Sequence, residues 1–292
     1  MITPEICEAA ARLEIRLKQR LNSLLEGSYR TAFRGNGMQF KDFRPYEPGD
    51  DIRHMSWGVT ARTGKPTIKL YETERELDVI ALIDTSGSSL FGSAGKRKID
   101  MYADVVALLG LCSISSGDNF GAVLFNDSVT HFIKPTRKRD QVLLTLTHIL
   151  ASEPQGKKAD LSYAIQFASQ SAKHRCLLII LSDFWVPPFE SALGSASKRH
   201  ECILLQGYAD EEAGSGISGL GDYRDPETGE IYLIDGNSKA TQQTLQTTHF
   251  KHQSALETTA AQFNCDFLGL STQDDYVQRL VLFFERRGPT RL

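Results

Sequence analysis

The stretch Leu77-Asp-Val-Ile-Ala-Leu-Ile-Asp-Thr-Ser-Gly-Ser-Ser-Leu90 decides how this chain is read. Val79 to Ile83 is a short unbroken apolar run, the pattern of a strand buried on both faces. It stops at Asp84, and hydroxyl residues with one glycine follow at once. Asp84, Ser86 and Ser88 alternate as Asp-x-Ser-x-Ser and can aim three oxygens at one point, the donor type that a hard cation such as magnesium takes. Gly87 permits a tight turn between the two serines. The same residues would also serve as a polar loop that caps the next helix. The rest of the chain has to discriminate.

Downstream, strand and helix patterns alternate. Residues 96–115 predict a helix with Ile99, Ala103, Val106, Leu109 and Leu111 toward the core. Strands are predicted over 119–125 and, across Asn126-Asp127-Ser128, over 130–134 as a hairpin neighbour. Helices at 138–151 and 160–173 lead to the fully apolar run 176–181, which ends in Ser182-Asp183. A helix over 188–199, a strand over 202–206, a helix over 238–263, a strand over 265–270 and a closing helix over 276–286 complete the order. This alternation predicts an α/β fold, a doubly wound, mostly parallel, Rossmann-like sheet with helices on both faces. Residues 207–236 interrupt the rhythm with Gly214, Gly216, Gly219 and Gly221 and then a hairpin around Asp225-Pro-Glu-Thr-Gly229. No lysine follows those glycines as a phosphate loop requires.

Upstream, residues 3–26 carry an apolar stripe (Ile6, Ala10, Leu13, Leu17, Leu21, Leu24) at helical spacing, with Pro4 in the first turn and Gly27 at the stop. Glycines and prolines then punctuate residues 29–76 into a small β-rich unit. Its arginines interleave with acids and aromatics, which suggests forked ion pairs and stacking. Arg44, Tyr46, Asp50, Asp51, Arg53, Trp57 and Arg62 are the candidates there for a partner-binding face, since arginine and large aromatics anchor interfaces. The competing reading is a network that only welds the unit to its neighbour. The chain thus divides into 1–76, the N-terminal helix plus Arg-rich β unit, and 77–292, the sheet domain with a hairpin insertion near 207–236.

Composition sets outer limits. The 292 residues, 41% hydrophobic and 24% charged, describe an ordinary globular protein with a sizeable core. A net charge of −3 supplies no global basic field for nucleic acid. The basic runs Lys96-Arg97-Lys98 and Arg137-Lys138-Arg139 read as solvated surface. Five scattered cysteines, without Cys-x-x-Cys spacing, read as reduced thiols of a cytoplasmic protein. The amino terminus lacks a signal-peptide layout. The purely apolar runs fall well short of the roughly 20 residues of a membrane helix, so direct membrane insertion is not expected.

In an open α/β sheet, ligands sit beyond the carboxyl ends of the strands where strand order reverses. Asp84 and Asp183 both follow pure apolar strands and so reach that edge. Asp84-Thr-Ser-Gly-Ser88 resembles the metal-ion-dependent adhesion site of von Willebrand factor A domains, and residues 77–206 follow that fold's order of elements. Phe40-Lys-Asp-Phe-Arg-Pro-Tyr-Glu-Pro-Gly-Asp-Asp-Ile-Arg53, with Trp57, Ala61-Arg62 and Lys69 to Glu74, resembles the bacterial family called domain of unknown function 58. The resemblance implies a von Willebrand A-like domain behind a small β unit, and work with a MoxR-type AAA+ ATPase in complex assembly or chaperone-like roles. It also implies Mg2+ or Mn2+ ligated by Ser86 and Ser88, with Asp84 and Asp183 acting largely through water. The ion would accept a carboxylate from an acidic protein partner. One position departs from the pattern: Ala159 stands where a threonine ligand belongs, with Asp160 or Ser162 as the nearby stand-ins.

A metal-dependent phosphoester hydrolase at the same strand ends is the enzymatic alternative. A metal-free scaffold acting through the Arg-rich β unit is the third reading. Neither a Gly-x-x-x-x-Gly-Lys loop nor a Gly-x-Ser-x-Gly elbow is present, and His54, His131, His148 and His174 are dispersed. Catalysis is therefore not the expected role.

Overall fold

In the computed structural model the described residues are 39–48, 50–72, 77–93, 95–153, 158–224 and 229–287. The amphipathic helix expected over 3–26 and the hairpin tip at 225–228 lie outside them. Two compact units are present, one within Arg34–Glu76 and one carrying the chain from Leu77 onward.

In the smaller unit, β1 (Gln39–Pro45) pairs antiparallel with β2 (Thr67–Glu72). Between them lie one 3-10 turn, Ile52–His54, and a short helix, α1 (Trp57–Thr63). The expected β-rich unit is therefore part helical. Gly64, at φ 67°, closes α1 in the left-handed conformation instead of turning a hairpin.

The larger unit is built on a six-stranded sheet. Its strands are β3 (Asp78–Asp84), β6 (Asn119–Phe125), β7 (Val129–Thr136), β8 (Cys176–Ser182), β9 (Glu201–Tyr208) and β12 (Asp266–Ser271). Two short pairs lie outside it: β4 (Gly92–Ser93) with β5 (Lys96–Arg97), and β10 (Leu220–Arg224) with β11 (Ile231–Asp235). The sheet order is β12-β9-β8-β3-β6-β7. Every neighbour pair is parallel except β7, which returns antiparallel beside β6. The helices are α2 (Lys98–Ser116), α3 (Asp140–Leu150), α4 (Leu161–Ser171), α5 (Glu190–Ala196), α6 (Lys239–Gln262) and α7 (Tyr276–Arg287). The doubly wound, mostly parallel architecture read from the apolar runs is the one observed.

Alternation along the strands sorts the core into two layers, because successive side chains in a strand point to opposite faces. Val79, Ala81 and Ile83 pack with Leu177, Ile179 and Leu181 against α2, α3 and α7. Ile80 and Leu82 pack with Leu178 and Ile180 against α4, α5 and α6. Helix α2 is long and apolar enough by composition to cross a membrane. In the fold it is an interior helix, buried from Lys98 to Ser113 on nearly all sides between the sheet, α3 and α7.

Gly121 marks a close approach. A Cβ there would lie 2.7 Å from Ile133 O and from Pro135 N, both backbone atoms of β7, beside the irregularity in the β6–β7 register. Backbone cannot swing aside as a side chain can. Gly121→Ala is therefore expected to destabilise the domain by about 1–3 kcal/mol, read from the shift in urea midpoint, as overpacking does.

Candidate functional site

Strands β3 and β8 are adjacent in the sheet, yet the chain leaves β3 toward β6 on one side and reaches β8 on the other. That reversal is the topological switch point, and the two candidate acids stand there. Asp84 is the last residue of β3, and Asp183 follows the last residue of β8. Both are buried. Asp84 accepts from Ser182 Oγ at 2.6 Å and from Ser86 N at 2.9 Å. Asp183 Oδ1 accepts from Trp185 N at 3.0 Å. The Ser86 and Ser88 hydroxyls lie 3.3 Å apart.

The second partner of Asp183 is a lysine. The Lys98 ammonium donates to Asp183 Oδ2 at 2.8 Å and to Glu212 Oε1 at 2.7 Å, with its side chain 0% exposed. This corrects the reading of Lys96-Arg97-Lys98 as solvated surface. The β4–β5 pair turns the chain back after the Asp84 loop, and Lys98 N donates to Phe91 O at 3.0 Å, so α2 starts directly at the strand ends. Its first side chain then lies inside, while Lys96 and Arg97 remain exposed.

The electrostatics follow from that placement. Burial works against a charged Lys98, but the carboxylates of Asp183 and Glu212 outweigh it and hold the ammonium above the ordinary lysine value. Burial likewise pushes Asp183 up, and Lys98 together with the Trp185 N–H more than reverses this. Among the described residues no cation offsets this at Asp84: burial and then the nearby Asp183 raise its carboxyl from 3.8 to about 6, against the hydrogen bonds from Ser182 and Ser86. A carboxyl raised by folding binds its proton more tightly in the native state. The stability it contributes is full below about pH 4 and is lost as pH rises through about 6. Between pH 4 and pH 7, Asp84→Asn is expected to gain about 1–3 kcal/mol relative to wild type, measured by urea unfolding at both values.

The divalent site implied by the resemblance can be compared with these residues. Cis ligands of an octahedral magnesium lie about 3.0 Å apart, so the two serine hydroxyls suit one. The remaining donors do not. Ala159 is buried in the core layer with Leu82, Phe125 and Ile180 and offers no oxygen. Asp160 caps α4, its Oδ1 accepting from Tyr163 N at 2.9 Å, and Ser162 Oγ donates to Pro188 O at 3.0 Å. Asp183 is committed to Lys98. Among the described residues, no group of three His, Cys, Asp or Glu side chains could hold a metal ion. The donor set present does not fit a complete divalent site.

Beside these residues opens a cavity of about 470 Å³. Ser88, Asp183 and Glu212 line it together with Phe91 and Trp185, and the β10–β11 pair contributes Tyr223, Tyr232 and Ile234. Tyr223 and Tyr232 are register partners on one face of the pair, and Arg224 at the end of β10 also reaches the cavity. Leu220 and Leu233 lie on the other face by strand alternation, and they and Ile231 are 66–67% exposed. Trp185 is half exposed and stacks on His252 at 3.9 Å, while His252 Nε2 lies 2.9 Å from Asp183 O. Glu211 also lines the cavity and keeps a buried carboxylate oxygen without a hydrogen-bond partner among the described residues.

A family model described as a protein of unknown function, DUF58, matches residues 42–255. The chain belongs to that family. Uncharacterized proteins of Mycobacterium bovis and Mycobacterium tuberculosis are 27% identical to this DUF58 chain, across 98% of its length and 91% of theirs. Among solved structures, a conserved hypothetical protein, BatB from Bacteroides thetaiotaomicron, aligns at 14% identity and a TM-score of 0.46, over 72% of this chain and 98% of that one. A von Willebrand factor type A protein from Catenulispora acidiphila aligns at 16% identity and a TM-score of 0.35, over 62% of this chain and 43% of that one.

Elsewhere in the DUF58 chain, the sequence candidates of the β unit have structural duties of their own. Arg44 forms a forked pair with Asp50 at 2.8 and 2.6 Å, and the Asp50 carboxylate also accepts from Glu47 N. That guanidinium bond holds the Asp50 carboxyl below its ordinary value. Tyr46 N donates to Pro66 O, Asp51 O accepts from His54 N, and Arg62 lies in the last turn of α1. Trp57 is 67% exposed, and the Arg53 side chain lies outside the described residues. A cysteine–histidine contact, Cys176 Sγ to His200 Nδ1 at 3.2 Å, sits at the amino end of β8, away from the carboxyl edge. Burial pushes that thiol up to about 12, which suits a core contact and not a nucleophile. Lys98, Trp185, Glu212 and His252 are the site residues that pattern reading missed. The only sequence signal was that Lys98 directly precedes the apolar helix 99–112.

Proposed function

We propose that this DUF58 protein is a non-enzymatic interaction protein, one that docks a protein partner at the carboxyl edge of its sheet. The observation that carries this reading is the cavity lined by Phe91, Trp185, Tyr223 and Tyr232, adjoining the exposed apolar face of β10–β11. Large, partly exposed aromatics around a pocket, next to exposed aliphatics, are what protein interfaces use as anchors. The acids at the strand ends are engaged with Lys98, Ser182 and backbone N–H groups, an arrangement suited to holding loops in place. A MoxR-type AAA+ ATPase is the partner that the family resemblance favours, with a role in protein-complex assembly or maturation inside the cytoplasm. A second reading, a scaffold that works through the β unit, is favoured by the exposure of Trp57 and Ile52.

Capture of a MoxR-type ATPase by the immobilised protein separates the two. Trp185→Ala is expected to weaken capture roughly thirtyfold or more, the loss typical of an interface anchor, while Trp57→Ala leaves it unchanged. The reverse pattern would move the docking face to the β unit. Equal capture by both variants would remove the cleft from the interface.

A further inference from the structure

The strand-end site has a cation of its own, covalently supplied. We infer that the Lys98 ammonium is the resident cation of this site, and that partner docking there needs no divalent ion. The inference rests on the docking reading above only for its second half; the first half concerns this chain alone.

Four observations converge on it. Lys98 is fully buried, and its ammonium bridges Asp183 and Glu212 at 2.8 and 2.7 Å. Those are ordinary lengths for charge-assisted hydrogen bonds. Each Asp183 oxygen already has a protein partner, Oδ2 the Lys98 ammonium and Oδ1 the Trp185 N–H, and Ser88 also donates to this carboxylate. Ala159 supplies no side-chain oxygen and is a core residue, so a divalent ion would have one protein ligand fewer and would need a further water in its place. Glu212 is itself fixed, its second oxygen accepting from Ala209 N at 2.8 Å, so the ammonium has a built cradle and not a chance contact.

The physical consequence is a difference in exchange. A divalent ion at such an edge keeps waters and can trade one for a partner carboxylate. An ammonium has three donors and no open coordination position, and two of the three are already spent on protein carboxylates. It can neutralise the acids and fix the loop after β3, but it cannot recruit an acidic side chain through a metal bond. The cleft beside it is lined by Asp183, Glu211 and Glu212 and also by Lys158 and Arg224, a mixed set of charges that selects no single sign of partner. Partner recognition then falls to the aromatic walls.

Manganese supplies the test, because its binding can be counted by paramagnetic resonance or calorimetry. Wild type is expected to bind no manganese at a site that Ser86→Ala/Ser88→Ala abolishes, and ATPase capture should be the same in EDTA as in magnesium. Lys98→Met should gain one manganese site and show a melting temperature that rises with added manganese, because Asp183 loses its ammonium beside the two serine hydroxyls. If Lys98→Met does not fold, the manganese count on wild type against Ser86→Ala/Ser88→Ala decides by itself. One manganese bound by wild type and lost in the double serine variant would overturn the inference. So would a folded lysine variant that binds none. Absence of ATPase capture under every condition would sink the docking reading and leave the manganese result standing by itself. Capture only with magnesium would keep the docking reading and overturn the metal-free half of the inference.

Discussion

Lys98→Ala is expected to cost about 3–5 kcal/mol of stability, because it strips the cation from the buried Asp183 carboxylate and the part-buried Glu212 beside it. The magnitude comes from desolvation and not from the attraction alone. Asp183 is buried with its counter-ion, and once the ammonium is gone its charge is left with little access to water. Asp84, already raised to about 6, would feel an Asp183 no longer neutralised. Chemical denaturation at pH 7 measures the loss. If the ion triad is the cause, Lys98→Met combined with Asp183→Asn and Glu212→Gln should recover much of it, since neutral groups of similar shape replace buried ion pairs at little net cost. A loss of less than about 1 kcal/mol for Lys98→Ala would mean that the ammonium is solvated, and the account of the site would have to change.

The second large effect lies at the end of the chain. The side chain of Arg287, in the last turn of α7, is 5% exposed and pairs with Glu201 of β9 and, at 2.6 Å, with Asp266 of β12. It fastens α7 to the two strands at that edge of the sheet, where Val277, Leu280 and Phe284 are also buried. Arg287→Ala is expected to lose about 3–5 kcal/mol by leaving the Glu201 carboxylate buried without its cation. Arg287→Lys should recover only part, because a point charge cannot reproduce a planar fork that meets two acids at once. Hydrogen exchange would locate the damage: amides of β12 and α7 should lose protection first, ahead of β3 and β8 in the centre.

These two residues mark the border of what the sequence reveals. The strands announce themselves because a run such as Val79–Ile83 or Cys176–Leu181 has no other good use in a folded chain, and the alternation with helices then settles the architecture. Asp84 and Asp183 are legible for the same reason, since each ends such a run. Ala159 is legible as a missing hydroxyl. Lys98 is not, because its partners are 85 and 114 residues away and nothing local to it records that they converge. A charged residue next to other charges reads as surface until the turn at β4–β5 puts it inside. The cleft is hidden for a related reason: its walls come from the β10–β11 insertion, whose exposed aliphatics look from sequence like an ordinary hairpin. In the smaller unit, glycines that suggested turns instead punctuate α1, since Gly64 suits a helix end as well as it suits a hairpin.

The most direct measurement of the central claim is hydrogen–deuterium exchange on the protein alone and in complex with the MoxR-type ATPase. Docking at the carboxyl edge predicts new protection in residues 184–187 and in β10 and β11, with the β1–β2 unit unchanged. Protection confined to residues 39–72, with the cleft segments exchanging as in the free protein, would contradict it.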